Sequence, residues 1–391
     1  MNAVVLYALM IGIDIGIVLM NIPPVIDTFM SLYQTSYTGV SILISSIMWT
    51  HGLMQIPGGL LIDRLGVRGG VALSLAAMGT GNFLSLLEVN FTLAVIGRVI
   101  CGIGTGLGFV TTMKWVALSV PKPRIGVYQA YLGGIIALGS ILPFLFFPGL
   151  SRFGWEAIFV APGVFSLALL AILPRLRSKP LPASALSLAA SPSLLFSSRP
   201  WMFGFIQSLS WGPVVAFGNW GASILSEAHQ NSITAENLAW FGALVMAISG
   251  VVRILGGPLV SRFSPRGIIL GSNLLLGIAH ALLYSLHEPG VLLTLLLATT
   301  ALASINFGAI FHLVSTSVPP SSLGLMLGIV IFTANMGAFL LTFLFGWLKD
   351  LTGGFHSAFA WTAPFFFLAL VATWVVAAEK KERKSSLNQE R

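Results

Sequence analysis

The chain has 391 residues, of which 56% are apolar and only 8% are charged. Soluble domains carry about a quarter charged residues, so a water-soluble globular enzyme of this length is excluded and a polytopic membrane protein is indicated. The net charge of +8 does not signal a nucleic-acid partner, because the basic residues are scattered through short loops and build no basic face interleaved with aromatics.

In chain order, apolar windows fall at roughly 3–22, 39–62, 70–87, 91–113, 125–147 and 156–173, most of them close to the ~20 residues a span needs. The opening segment MNAVVLYALM has no charged leader and no small-residue cleavage site, so the first window is expected to stay as a helix. Residues 174–200, rich in Ser, Pro, Ala and basic side chains, read as a cytoplasmic linker. A second set of windows follows at roughly 201–225, 238–260, 268–286, 290–314, 323–346 and 357–378, and 379–391 is a polar tail. The predicted fold is therefore all-α: twelve transmembrane helices in two six-helix bundles, residues 1–173 and 201–378.

Charge asymmetry orients this layout. With the N-terminus in the cytoplasm, the cytoplasmic loops hold ten basic residues: Arg64, Arg68, Lys122, Arg124, Arg175, Arg177, Lys179, Arg199, Arg262 and Arg266. The tail adds five, Lys380, Lys381, Arg383, Lys384 and Arg391, whereas the opposite loops hold only Arg152 and Lys349 beside most of the acids. Fifteen against two is a strong positive-inside bias, and it places both termini in the cytoplasm of a plasma membrane, expected to be a bacterial or archaeal inner membrane.

The two halves repeat. Residues 58–68 read GGLLIDRLGVR and residues 256–266 read GGPLVSRFSPR; offset by 198, they agree at both glycines, the leucine and both arginines. The segment Gly59-x3-Asp63-Arg64-x-Gly66-x-Arg68 resembles the loop 2–3 signature of the major facilitator superfamily, and Arg98-x3-Gly102-x-Gly104 is similar to its helix 4 motif. The resemblance extends over essentially the whole chain. It implies a secondary transporter working by alternating access about a midplane site, with Gly59, Asp63, Arg64, Gly66 and Arg68 locking the cytoplasmic gate of the outward-facing state. Arg262 and Arg266 are their second-half counterparts, where Ser261 stands in place of the acid.

Charges in hydrocarbon are costly and usually functional, and Asp14, Arg98 and Arg253 are the ones well inside the predicted spans. Helical rise puts Asp14 and Arg98 within about a turn of each other in depth. An ion pair between them is expected, either self-neutralising or coupling a proton on Asp14 to transport. Arg253 lies about 10 Å from the inner face of its helix, and no acid at that depth in the second half neutralises it. Something anionic should therefore meet it. Arg253-x2-Gly256-Gly257 resembles helix 8 of nitrate/nitrite porters, and oxalate:formate-type carriers place an anion-binding arginine near this level. Helix 5, YQAYLGGIIALGSILPF, lacks the nitrate-type asparagine signature, which points to another anion. The repeat maps Arg253 onto Gln55, expected to contact a neutral part of the substrate.

His51 is a packing residue or a proton carrier, and Asn219, Trp220 and Asn335 are candidate cavity groups. CGIGTGLGF at 101–109 follows no strand and is expected to be a helix-packing surface. With one cysteine, Cys101, and no phosphate loop or HExxH, the chain is expected to be no enzyme and to need no metal or cofactor. The expected function is transport of a small anion, an organic acid or oxyanion, driven by protons or by exchange, by a monomer in the bilayer. A proton-coupled multidrug or metabolite exporter and a non-transporting sensor are the alternatives.

Overall fold

The computed structural model describes residues 3–87, 89–120, 125–176, 192–315, 317–318 and 320–389. The middle of the predicted linker, 177–191, and the side chains of Asp63, Arg64 and the tail lie outside the described residues. The chain is built of α1 (Ala3–Leu19), α2 (Ile26–Tyr33), α3 (Tyr37–Leu53), α4 (Gln55–Leu84), α5 (Phe91–Ser119), α6 (Ile125–Leu150) and α7 (Ala157–Ile172). Then come α8 (Ser198–Ala228), α9 (Trp240–Arg262), α10 (Pro265–Ser285), α11 (Pro289–Ser315), α12 (Pro320–Thr352) and α13 (His356–Gln389). In this all-α architecture α3 and the first part of α4 make the second of twelve spans, and α4 beyond Gly66 makes the third. A bilayer leaves the backbone no partners except its own, so apolar runs of this length close their hydrogen bonds as helices.

Polar residues start the helices where the apolar runs begin. Ser36 accepts from the Gly39 amide at the head of α3, and Asn90 accepts from the Leu93 amide at the head of α5. Gly66 breaks α4 with φ +71°, a left-handed conformation that an L side chain enters only at a cost. The second-half turn is made otherwise: its counterpart Ser264 caps α10, with Pro265 in the first turn. Three details differ from the sequence expectation. The predicted loop after the first span contains α2, α8 takes Ser198, Arg199 and Pro200 from the predicted linker, and α13 runs on through the predicted tail.

The glycine run on α5 is a packing surface, as expected. A Cβ on Gly102 would stand 2.6 Å from the Ile47 carbonyl oxygen, and one on Gly104 would stand 2.8 Å from that of Ser74. Helix α5 thus lies against α3 on one side and α4 on the other at backbone distance. The first half packs α1 on α5 and α6, and α4 on α5 and α7; the second packs α8 on α11 and α12, and α10 on α11 and α13. The halves meet through α3 against α12 and α6 against α9.

Candidate functional site

Arg253 sits on α9, nine residues from Arg262 at its end, hence about 14 Å along the helix. That is about half a turn deeper than the sequence expectation, because α9 extends to Arg262. Its guanidinium carbon lies 4.5 Å from the ring centre of Trp211 on α8 and 4.7 Å from that of Phe307 on α11. Phe311, one turn on from Phe307, packs on it with ring centres 4.6 Å apart. Two aromatic faces stabilise a desolvated guanidinium by about 0.5–2 kcal/mol each. They cannot accept its in-plane N–H groups, and Nε and Nη2 make no hydrogen bond to the protein. The guanidinium is held against two rings with donors to spare, which suits a planar or tetrahedral oxyanion.

Arg98 in the first half is bound quite differently. Nη1 donates to the Val18 carbonyl at 2.9 Å and to Asn21 Oδ1 at 2.7 Å, and Nη2 donates to the Leu19 carbonyl at 3.4 Å. These carbonyls end α1 and carry the negative end of its dipole. Asn21 in turn donates to Asn82 Oδ1 and the Ile158 carbonyl, joining α1, α4, α5 and α7. The expected Asp14–Arg98 pair is corrected here. Asp14 Oδ2 accepts from Ser166 on α7 at 2.7 Å, and Oδ1 has no partner. The end of α1 at Leu19 gives Arg98 its acceptors, so the carboxylate is not needed, and Asp14 turns into the bundle. Both side chains are completely buried, so Arg98 presents no edge to a substrate in this conformation.

The remaining candidates do not gather around Arg253. His51 Nδ1 meets Thr105 Oγ1 at 3.1 Å, and Gln55 folds back to donate to the His51 carbonyl. Asn335 donates to its own helix at Ile331 and packs where a Cβ on Gly52 would be 2.8 Å from its Cβ. Asn219 and Trp220 both donate to Thr342 on α12, to its hydroxyl and its carbonyl. Asn219 lies eight residues along α8 from Trp211, about 12 Å away. In the segment expected to form the gate, Arg68 donates to the Leu173 and Pro174 carbonyls at 3.0 and 3.3 Å, tying the third span to the end of α7. Gly59 has open space at its Cβ position, Arg262 is exposed, and Arg266 is half-buried.

Sequence reasoning missed a second constellation, at the bundle end distal to the chain termini. Asp350, at the end of α12, accepts from the Tyr37 and Thr38 amides at 3.2 and 2.6 Å, so a carboxylate of one half caps α3 of the other. Lys349 pairs with Glu227 at 2.7 Å and lies over the rings of Tyr37 and Phe355. Tyr37 packs against Trp220 and Phe355 with ring centres 5.8 and 5.4 Å away. The Thr28 hydroxyl donates to Glu236. These contacts shut the two halves against each other at that end. The available signal was the crowding of acids in the loops opposite the basic ones.

The fold and its apolar helices define a polytopic membrane protein with charges inside its spans. The family model of the Major Facilitator Superfamily matches residues 4–220 and 210–391, and the chain belongs to that superfamily. Among its relatives is the probable galactarate/D-glucarate transporter of Escherichia coli K12, 25% identical over 89% of this chain and 88% of that protein. The probable chloroplastic anion transporter 4 of Oryza sativa is 26% identical over 59% of this chain and 42% of that protein. Facilitated glucose transporter member 12 of Macaca fascicularis is 26% identical over 35% of this chain, and this match spans about a fifth (21%) of that relative's length. The fold is shared with a bacterial homologue of the human lysosomal transporter Spinster, solved inward-facing and occupied, at 15% identity and TM-score 0.76 over 96% of both chains. It is shared also with a D-xylose–proton symporter, at 17% identity and TM-score 0.74 over 95% of both chains. Family and apolar helices together make the chain a multi-pass membrane protein of that superfamily.

Proposed function

We propose that the protein carries a small anion, an organic acid or oxyanion, by alternating access, with Arg253 as the residue that binds it. One observation carries this reading: Arg253 is half-buried with its guanidinium against Trp211 and Phe307, and its buried Nε and Nη2 lack acceptors. The protein itself gives this guanidinium no counter-charge, and an anionic solute supplies what the fold withholds. The relatives named for galactarate/D-glucarate and for anions support it. Gln55, the first-half counterpart of Arg253, is half-buried at the bend between α3 and α4 and suits a neutral part of the solute.

The basic loops orient the termini toward the cytoplasm. The distal end, sealed by Asp350 and Tyr37, is then the outer one, and the conformation is inward-facing. Residues 1–173 and 201–378 act as the two rocking bodies, joined by the linker 174–200, in a bacterial or archaeal inner membrane. A proton gradient or solute exchange supplies the energy.

The test is thermal melting of the purified chain against mono- and dicarboxylates, inorganic oxyanions and lipophilic cations, since a ligand of the folded state raises the melting temperature by mass action. A stabilising anion whose effect vanishes in Arg253→Ala is the expected result. Stabilisation by lipophilic cations alone, unchanged in Arg253→Ala, would refute the anion reading and favour an exporter.

A further inference from the structure

A polar cavity of about 140 Å³, open on one side, lies in the distal seal. Asp27 and Tyr37 reach it from the first half, and Ser223, Ser226, Asn231 and Thr234 from the second. Its walls are therefore completed only when the halves close at this end. Every polar group named is an oxygen donor or a carboxamide, and among the described lining residues Asp27 carries the only charge. Ser223 is buried, lines the cavity, and its hydroxyl has no partner. Ser226 donates to the Ile233 carbonyl at 2.6 Å, so its remaining capacity is to accept.

Closure also gathers negative charge. Asp27 accepts from the Ala235 amide and lies within electrostatic reach of Glu236, the acid from the other half that holds Thr28. Lys349 is already committed to Glu227 and to the Gly353 carbonyl. Asp27 and Glu236 are both half-buried, and two partly desolvated carboxylates beside each other are relieved by a counter-charge that joins them. We propose that the distal seal binds a monovalent alkali cation, of the sodium class, in the cavity between Asp27 and Ser223.

The chemistry selects that class. Hard oxygen ligands favour alkali and alkaline-earth ions over transition metals. Calcium sites take about 6–8 oxygens and usually several carboxylates, whereas this lining offers one carboxylate among neutral oxygens. A water occupies about 30 Å³ of liquid, so the volume holds the ion with a few of its waters. Because both halves supply ligands, the bound ion favours the state closed at this end and ties gate closure to cation concentration. The inference concerns the opposite charge at the opposite end from Arg253, and its failure leaves the anion reading intact.

Melting of the purified full chain is followed in sodium chloride against N-methyl-D-glucamine chloride at constant ionic strength. Sodium is expected to raise the melting temperature by about 2–5 °C. The shift disappears in Asp27→Asn, needs about tenfold more sodium in Ser223→Ala, as for loss of one oxygen ligand, and persists in Arg253→Ala. Should Asp27→Asn fail to fold, Ser223→Ala decides by itself. Equal melting in the two salts, or a sodium shift unchanged in Ser223→Ala, overturns the proposal.

Discussion

Arg98 in the first bundle and Arg253 in the second are both intramembrane guanidiniums, yet their terminal nitrogens meet opposite surroundings. Those of Arg98 donate to two carbonyls at the end of α1 and to Asn21. Arg253 lies between the faces of Trp211 and Phe307 with Nε and Nη2 unbonded. The Nε of each arginine is unbonded, so the difference lies at the terminal nitrogens: both of Arg98's are bound by the scaffold, whereas Nη2 of Arg253 has only rings beside it and is the donor left for a ligand. The difference separates a residue that holds α1 in place from one that waits for a solute.

The comparison breaks most visibly at Arg253. Arg253→Ala should weaken anion binding by at least about 100-fold, the loss of two charge-assisted hydrogen bonds. The apo protein should melt at the same or a higher temperature, since an uncompensated buried charge is gone. Arg253→Lys keeps the charge without the planar fork and should weaken binding by about 1–3 kcal/mol. Calorimetric titration with melting of the empty protein reads both. A destabilised apo protein with intact affinity would make Arg253 a packing residue.

Arg98→Met should do the reverse. It strips the charge-assisted donors from the end of α1 and leaves Asn21 without its donor, costing about 3–5 kcal/mol of stability. Anion affinity of the protein that still folds should be unchanged. A stable variant with lost affinity would instead move Arg98 into the substrate site.

How legible all this was in the sequence differs between the two arginines. The twelve spans, the repeat and the α5 glycine surface follow from local patterns, because a bilayer forces apolar runs into helices and glycine into close contacts. Arg253 could be singled out as unneutralised, but its partners Trp211 and Phe307 lie 42 and 54 residues away in sequence (253 − 211 and 307 − 253) and carry no motif. In the sequence, depth alone pairs Arg98 with Asp14. Depth is legible from helical rise, but azimuth is not: one residue turns a side chain by about 100°, and the early end of α1 at Leu19 gave no strong signal. The distal seal joins Tyr37 and Asp350, 313 residues apart, through tertiary contact that no local pattern encodes.

That seal offers a smaller effect. Asp350→Asn removes the carboxylate that caps α3 across the two halves, worth about 1–2 kcal/mol as a charge–dipole contact. Spin labels on Gln34 and Asn237, both exposed and on opposite halves, should then show the long-distance, distal-open population grow about 5–30-fold. Unaltered distances would mean that the aromatic cluster around Tyr37 holds the seal without Asp350.

Asp14 should give the smallest change in stability and the sharpest change in coupling. Its Oδ2 accepts from Ser166, and Oδ1 has no partner in the core between α1 and α7. In Asp14→Asn the carboxamide oxygen can keep the Ser166 bond, while the NH2 group takes the place of an atom already unbonded. One unsatisfied polar group replaces another of similar size, so the melting stability should move by less than about 1 kcal/mol. The substitution also removes the one group on α1 able to take up and release a proton at that depth. Uptake driven by a pH gradient in proteoliposomes should therefore collapse, whereas exchange of labelled for unlabelled anion, which needs no net proton movement, continues. Arg98 makes no ion pair with Asp14, so its bonds to α1 should survive and the first bundle should stay folded. A variant of normal stability that keeps the wild-type pH dependence of uptake would remove Asp14 from the coupling path and leave exchange as the simpler source of energy.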